Sequence, residues 1–296
     1  MLKRTLFFSS PGKLNIKDGL LQYESGNMQE KKTFPLEDLG CIVIESLQMT
    51  VTTHCINALA LHNIMVVCCD ESHMPSVQML PYSGNSLTQK ISEAQYISTA
   101  ALKSRLWKQT VKAKVINQAK CLDKLYLPGS KLLRLAEAVK TDDQKNIEAV
   151  AARYYFQQLG VNESFLRERY GDAPNNALNY GYALLRAACA RALVGSGMNC
   201  CIGIHHCNQY NPFGLVDDIM EPYRPWVDCM VFSERSFFDV QNLEKEHKAK
   251  LLQLLVADVK VGNECRPLCN ALAFTSASLA RCFLKEEKQI LYPEFV

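Results

Sequence analysis

The spacing of apolar residues changes part-way along this chain. Up to residue 80 they come in short runs rich in β-branched and aromatic side chains: TLFFSS, LNIKDGLLQYES, TFPLEDLGCIVIES and NIMVVCCD. Runs of this kind predict strands. Asp18-Gly19 and Gly26-Asn27 punctuate them as turns. VTTHCINALALHN, at 51–63, has the spacing of a single helix, Asp70–Pro75 is a polar turn, and SVQMLPY predicts one more strand. PYSGNSL, at 81–87, is rich in turn-forming residues and marks the change of texture. Beyond it the period is helical almost to the end. In 97–122, Ile97, Ala100, Trp107, Val111, Val115 and Leu122 share one helical face. Thr141 to Gln144 reads as a capping box, with Gly160 closing the helix that follows. Pro174 opens a helix over 174–195, and 241–257 and 268–285 predict two more. The expected architecture is α+β. It has a β-rich, β-sandwich-like domain at 1–84, a linker at 85–92 and a mostly α-helical domain at 93–296.

Composition adds little until it is resolved by position. The 296 residues are 48% apolar, enough for a sizeable core, and the net charge is only +3. The thirteen cysteines include no CxxC pair, and Cys265 and Cys269 have no answering pair at zinc-site spacing. They read as free, mostly buried thiols of a reducing cytoplasm. No apolar run reaches the roughly 18–20 residues that span a bilayer, so the expectation is a soluble, cytoplasmic protein with no membrane partner. The charge itself is concentrated. Residues 101–134 hold nine basic side chains and one acid, Asp123. Arg105, Lys108 and Lys112 fall at helical spacing as a stripe, with Lys114 nearby; a solvated helix face is the bland alternative, but the near absence of acids favours a surface that binds a polyanion through its phosphates.

The candidate chemistry lies in 203–228, GIHHCNQYNPFGLVDDIMEPYRPWVD. Two histidines, His205 and His206, precede three acids, Asp217, Asp218 and Glu221. On a helix Asp217 and Asp218 are four and three residues from Glu221 and share its face. Carboxylates held together need a cation or a proton to offset their repulsion. A divalent ion such as Mg²⁺ or Mn²⁺ is one answer, and an exposed acidic turn bridged to Arg224 is the other. A further acid, Glu148 in KNIEAVAARYYF, stands among small residues that would let a substrate backbone approach; pairing with Lys145 or Arg153 is the bland alternative.

These pieces, taken in order, resemble the CRISPR-associated integrase, the endonuclease-like subunit of the CRISPR adaptation machinery. The wording of GIHHCNQYNPFGLVDDIMEPYRPWVD, with the short PYSGN linker, is most similar to the subgroup from type II systems. NIEAVAARYYF, NNALNYGYALLRA, PLEDLGCIVIE and VVCCDESHMPS fit it too. The resemblance implies a homodimer with an N-terminal β-rich dimerisation domain and a helical domain that is catalytic and binds DNA. It implies a metal held by Glu148, His206 and Glu221, which are also the catalytic residues, with Asp218, Asp217 and His205 in support. The two adjacent histidines leave the register open between His205 and His206. The implied reaction is attack of a 3′-hydroxyl of a short DNA duplex on a phosphodiester of the CRISPR repeat. The implied partners are double-stranded DNA and a small ferredoxin-like adaptation subunit, with the effector nuclease and other adaptation proteins as further candidates. Arg105, Lys108, Lys112, Lys114 and Arg153, with Arg186 and Arg191, would hold DNA backbones, and Asn179, Tyr180 and Tyr182 would be structural. A stand-alone nuclease, with water as the nucleophile, and a non-catalytic DNA-binding scaffold are the competing readings.

Overall fold

The structure is a computed structural model and describes residues 4–27, 29–81, 84–160, 167–168 and 171–295. Residues 1–3 of the N-terminal reading, and Tyr82 and Ser83 of the PYSGNSL stretch, lie outside them. The chain divides into two compact units, Met1–Gly84 and Asn85–Val296.

The first unit is built from strands β1 (Arg4–Phe8), β2 (Gly12–Lys17), β3 (Leu20–Ser25), β4 (Lys31–Pro35), β5 (Leu39–Ile44), β6 (Met49–Val51), β7 (Met65–Cys69) and β8 (Pro75–Met79), with helix α1 (Thr53–Leu61) between β6 and β7. One sheet has the order β4-β3-β2-β6 and the other β1-β5-β7-β8. Asp18 and Gly19 both take positive φ, so β2 and β3 close as a two-residue hairpin pairing Lys17 with Leu20. The run TFPLEDLGCIVIES is not one strand. A single 3₁₀ turn, Leu36–Asp38, cuts it, and its halves go to different sheets. β5 lies between two parallel neighbours, and all of its residues but Gly40 are buried, as a central strand covered on both faces requires. Phe8, Leu14, Leu21, Tyr23, Leu39, Ile42, Leu59 and Val66 pack in one cluster, drawing on both sheets and α1.

The second unit is mostly helical: α2 (Thr88–Tyr96), α3 (Ala100–Lys124), α4 (Ser130–Ala138), α5 (Ile147–Leu159), α6 (Asn175–Gly195), α7 (Gly214–Met220), α8 (Arg224–Phe232), α9 (Lys245–Leu252) and α10 (Leu268–Phe283). A short antiparallel hairpin, β9 (Asp258–Val261) with β10 (Glu264–Pro267), precedes α10. α2 begins inside the expected linker at 85–92. Ile97 leaves the predicted face: it caps α2 and is exposed, and α3 starts afresh at Thr99, whose hydroxyl accepts from the Leu102 amide. Thr141–Gln144 opens no α-helix either, only a 3₁₀ turn at Thr141–Asp143. Asp142, Asp143 and Asn146 have positive φ, and the carboxylate of Asp143 caps α5 by accepting from the amides of Ile147 (2.9 Å) and Glu148 (2.8 Å). Gly160 does end α5. α6 and α8 approach closely at Gly181, where a Cβ would stand 2.5 Å from Val227 Cγ1.

Candidate active site

α3 is the spine of the site. Trp107, Lys114 and Asn117 recur at intervals of seven and three, so they project along one side of the helix. Each reaches a different part of the chain. The indole of Trp107 stacks on the imidazole of His205, with centroids 4.2 Å apart and planes within 2°. The Lys114 ammonium lies 2.7 Å from Glu148 Oε1 and 2.6 Å from Glu221 Oε2. The Asn117 amide donates to the carbonyls of Pro222 and Pro293, both at 2.9 Å. Asn117 therefore ties the turn that carries Glu221 to the helix that carries Lys114.

Glu148 projects from the first turn of α5, so the Asp143 cap that starts the helix also fixes its position. Glu221 begins the 3₁₀ turn Glu221–Tyr223 that Pro222 forces between α7 and α8. Its side chain is 9% exposed and also pairs with Arg224 Nε at 2.8 Å. Burial alone would push the Glu221 carboxyl up; Arg224 and Lys114 outweigh it and hold the pKa below the usual range. Burial likewise opposes the charge on Lys114, but Glu221 and Glu148 more than offset it and raise its pKa.

The histidines are placed by Asp218, which is fully buried on α7. Its carboxylate accepts from the amides of Ile204 (2.6 Å), His205 (2.9 Å) and His206 (3.2 Å), and from His206 Nδ1 at 2.5 Å. A carboxylate only accepts, so Nδ1 carries the hydrogen and Nε2 is the nitrogen left for other work. That hydrogen bond to Asp218 is the largest cause of the upward shift in the His206 pKa, with smaller contributions from Glu221 and Glu148. The loop can close this tightly because residue 203 is glycine: a Cβ there would stand 2.5 Å from the His206 carbonyl and 2.9 Å from Asp218 Oδ2. The two histidines thus diverge, His205 onto Trp107 and His206 onto Asp218.

Asp217 points elsewhere. It accepts from Arg186 Nε (2.7 Å) and Asn211 Nδ2 (2.7 Å), so the three neighbouring acids serve three different ends. The basic candidates part in the same way. Lys114 sits within the site, paired with two acids, where the sequence suggested a backbone-binding cation. Arg186 is engaged by Asp217 and lies over the Phe213 ring. Lys112 pairs with Glu137 of α4 at 3.1 Å. Arg105 and Lys108 line a cavity of about 470 Å³ with Gln109, Thr141 and Lys288, and Arg153 is exposed on α5. Tyr182 of α6 and Tyr155 of α5 both donate to the buried carboxylate of Asp228 on α8, Tyr155 at 2.9 Å. All thirteen cysteines are free thiols.

Among the described residues no three His, Cys, Asp or Glu side chains stand ready-made around an ion; the space between Glu148 and Glu221 holds the Lys114 ammonium. The donor chemistry nonetheless suits a hard divalent cation: two carboxylates already gathered on one positive charge, and an imidazole oriented by Asp218 whose charge they favour.

A family model described as CRISPR associated protein Cas1 matches residues 6–253. The chain belongs to the Cas1 family. It is 39% identical over 233 residues to the CRISPR-associated endonuclease Cas1 of Neisseria meningitidis serogroup C, covering 78% of this chain and 75% of that one. Its fold is similar to that of a casposase bound to an integration product, with TM-score 0.77 and 19% identity, covering 97% of this chain and 92% of that one. It is also similar to a chain of a Cas6-RT-Cas1–Cas2 complex, with TM-score 0.71 and 18% identity, covering 98% of this chain and 36% of that longer one. The Cas1 fold therefore accounts for the chain from its strand-rich start to its helical end. Among the described residues no helix is long and apolar enough to cross a membrane.

Sequence reasoning placed Lys114 among the DNA-binding cations and missed both its pairing with Glu148 and Glu221 and the part played by Asn117. Asn117 had a signal: it stands close to the apolar residues Val111, Val115 and Leu122 of α3, where a buried amide must find partners. The pairing of Lys114 had none, because it lies in a basic run and its acids are distant in sequence.

Proposed function

We propose that the chain is the integrase of CRISPR adaptation and inserts short DNA fragments into a repeat array. One observation carries this reading: in a Cas1-family chain, Glu148 and Glu221 converge on a single cation while Asp218 orients His206, whose charge both acids favour. A DNA 3′-oxygen forms a bond to the repeat phosphorus, and the bond from that phosphorus to its former ester oxygen breaks. The attacking hydroxyl loses a proton and the leaving oxygen gains one, so phosphodiesters are exchanged with no external energy source. No covalent protein intermediate is required.

Glu148, Glu221 and His206 Nε2 would hold Mg²⁺ or Mn²⁺. Such an ion polarises the phosphate and lowers the pKa of the attacking hydroxyl. Asp218 fixes the His206 tautomer, and Trp107 fixes His205 as a wall of the loop. Arg224 neutralises part of the charge on Glu221. Arg105, Lys108 and Arg153 are placed to meet backbone phosphates of double-stranded DNA. The chain works in the cytoplasm as a homodimer, with a small ferredoxin-like adaptation subunit as its partner and the effector nuclease or other adaptation proteins as further contacts.

The test is strand transfer of a 3′-OH duplex into a supercoiled plasmid bearing the repeat, with and without the small subunit. Joining is expected with Mn²⁺, and should disappear with chelator and in Glu148→Ala and His206→Ala, while His205→Ala retains part of it. Cutting without joining would make the chain a nuclease that uses water, and DNA binding with neither would make it a scaffold.

A further inference from the structure

We propose that Lys114 is an exchangeable counter-ion: its ammonium stands where the divalent cation goes, gives up Glu148 and Glu221 when the metal arrives, and moves to a phosphate oxygen of the DNA. The inference rests on the function proposed above and says how Lys114, expected from the sequence to meet a DNA backbone, would do so from within the site.

The two cations are alternatives on geometric grounds. The ammonium bridges carboxylate oxygens at 2.7 and 2.6 Å. Glu148 and Glu221 are the carboxylates that would hold a hard divalent cation, and the ammonium already fills the space between them. Like charges so close repel strongly in a site this enclosed. Lys114 is therefore displaced rather than joined. Its side chain is only 12% exposed, and a buried ammonium stripped of both partners is costly. It needs a new anion within reach of its flexible four-carbon stem. The anion that the reaction brings to this place is the phosphodiester. Arg224 also faces Glu221, but its guanidinium lies over the Tyr182 ring, 4.7 Å from the centroid, and is held there. The lysine is the mobile cation of the pair and the arginine the fixed one.

Metal and DNA binding are then coupled through one side chain. The metal frees the ammonium for the phosphate, and the phosphate gives the displaced ammonium a partner, so each ligand favours the other. Removing the ammonium should tighten metal binding and weaken that coupling, two effects that a purely structural lysine would not produce.

The test titrates Mn²⁺ calorimetrically into wild type and Lys114→Met, each with and without a short 3′-OH DNA duplex. Without DNA the variant should bind Mn²⁺ about tenfold tighter than wild type or better, which is about 1.4 kcal/mol. The duplex should tighten Mn²⁺ binding to wild type more than to the variant. Unchanged or weaker Mn²⁺ binding in the variant, or an equal gain from DNA, overturns the proposal. A second measurement keeps to wild type in case the variant misfolds: acetylation of Lys114 followed by peptide mass spectrometry. The amine should react several-fold faster when Mn²⁺ is present without DNA, and an unchanged rate at saturating Mn²⁺ overturns the proposal. If Mn²⁺ binds neither protein, the metal-dependent function fails and this inference with it. Mn²⁺ bound equally by both sinks the inference alone.

Discussion

Lys112 and Lys114 stand two positions apart on α3, in a run where the local sequence gives no reason to tell them apart. Lys112 turns outward, is 41% exposed and meets Glu137, itself 76% exposed. Lys114 turns inward and bridges two acids in a nearly closed site. An exposed pair gains little, because water screens the attraction and two long side chains lose their freedom. A buried charge is different: its partners are obligatory, since the alternative is an uncompensated ion. What separates the two lysines is the environment that the rest of the fold brings to each side of one helix.

The largest way to break that comparison is to delete both charges in turn. Lys114→Met should lower unfolding stability in metal-free buffer by about 3–5 kcal/mol, whereas Lys112→Met should stay within about 0.5 kcal/mol of wild type. Urea titration of the two variants measures both, and equal losses would show that burial does not distinguish them.

The next effect concerns a buried charge with no cation paired to it in this way. Burial raises the Asp228 carboxyl from its ordinary 3.8 to about 6, although Tyr182 and Tyr155 both donate to it. The folded chain then keeps a proton that the unfolded chain has already released. Stability should fall as pH rises from about 4 to about 6 and level off above that, by on the order of 2–3 kcal/mol in all. Asp228→Asn should remove that part of the slope in urea midpoints taken across the same range.

A smaller effect sharpens the role of the spine. Asn117→Ala removes both hydrogen bonds to Pro222 and Pro293, at about 1–2 kcal/mol in stability. Strand transfer should suffer more than that loss explains, because Glu221 loses its registration to Lys114. Transfer at the wild-type rate by the folded variant would remove Asn117 from the site.

Much of this was legible in the chain. Asp18-Gly19 announced the β2–β3 hairpin, and the periods of α3, α6 and α10 survive within a few residues. Glu148, His206 and Glu221 could be singled out because acids and imidazole stood in wording similar to a known family. Other features depend on contacts that no local window contains. The turn at Leu36–Asp38 sends β4 and β5 to different sheets, which only the sheets reveal. Thr141 has the residue type of a cap, but Asp143 does the capping from within a left-handed turn. The charges of DDIME looked alike, and their separation into Arg186, the histidine loop and Lys114 follows from the distant elements that face each one.

The stacked pair of Trp107 and His205 gives the molecule an optical property as well. The chain has two tryptophans, and the other, Trp226, stacks on Phe295 with centroids 4.1 Å apart. An imidazole lying flat on an indole quenches its emission, and more so when protonated, whereas a phenyl ring does not. The brightness of Trp107 therefore follows the distance to His205, and any ligand that shifts the histidine loop writes its arrival into the protein's own fluorescence, with no label attached.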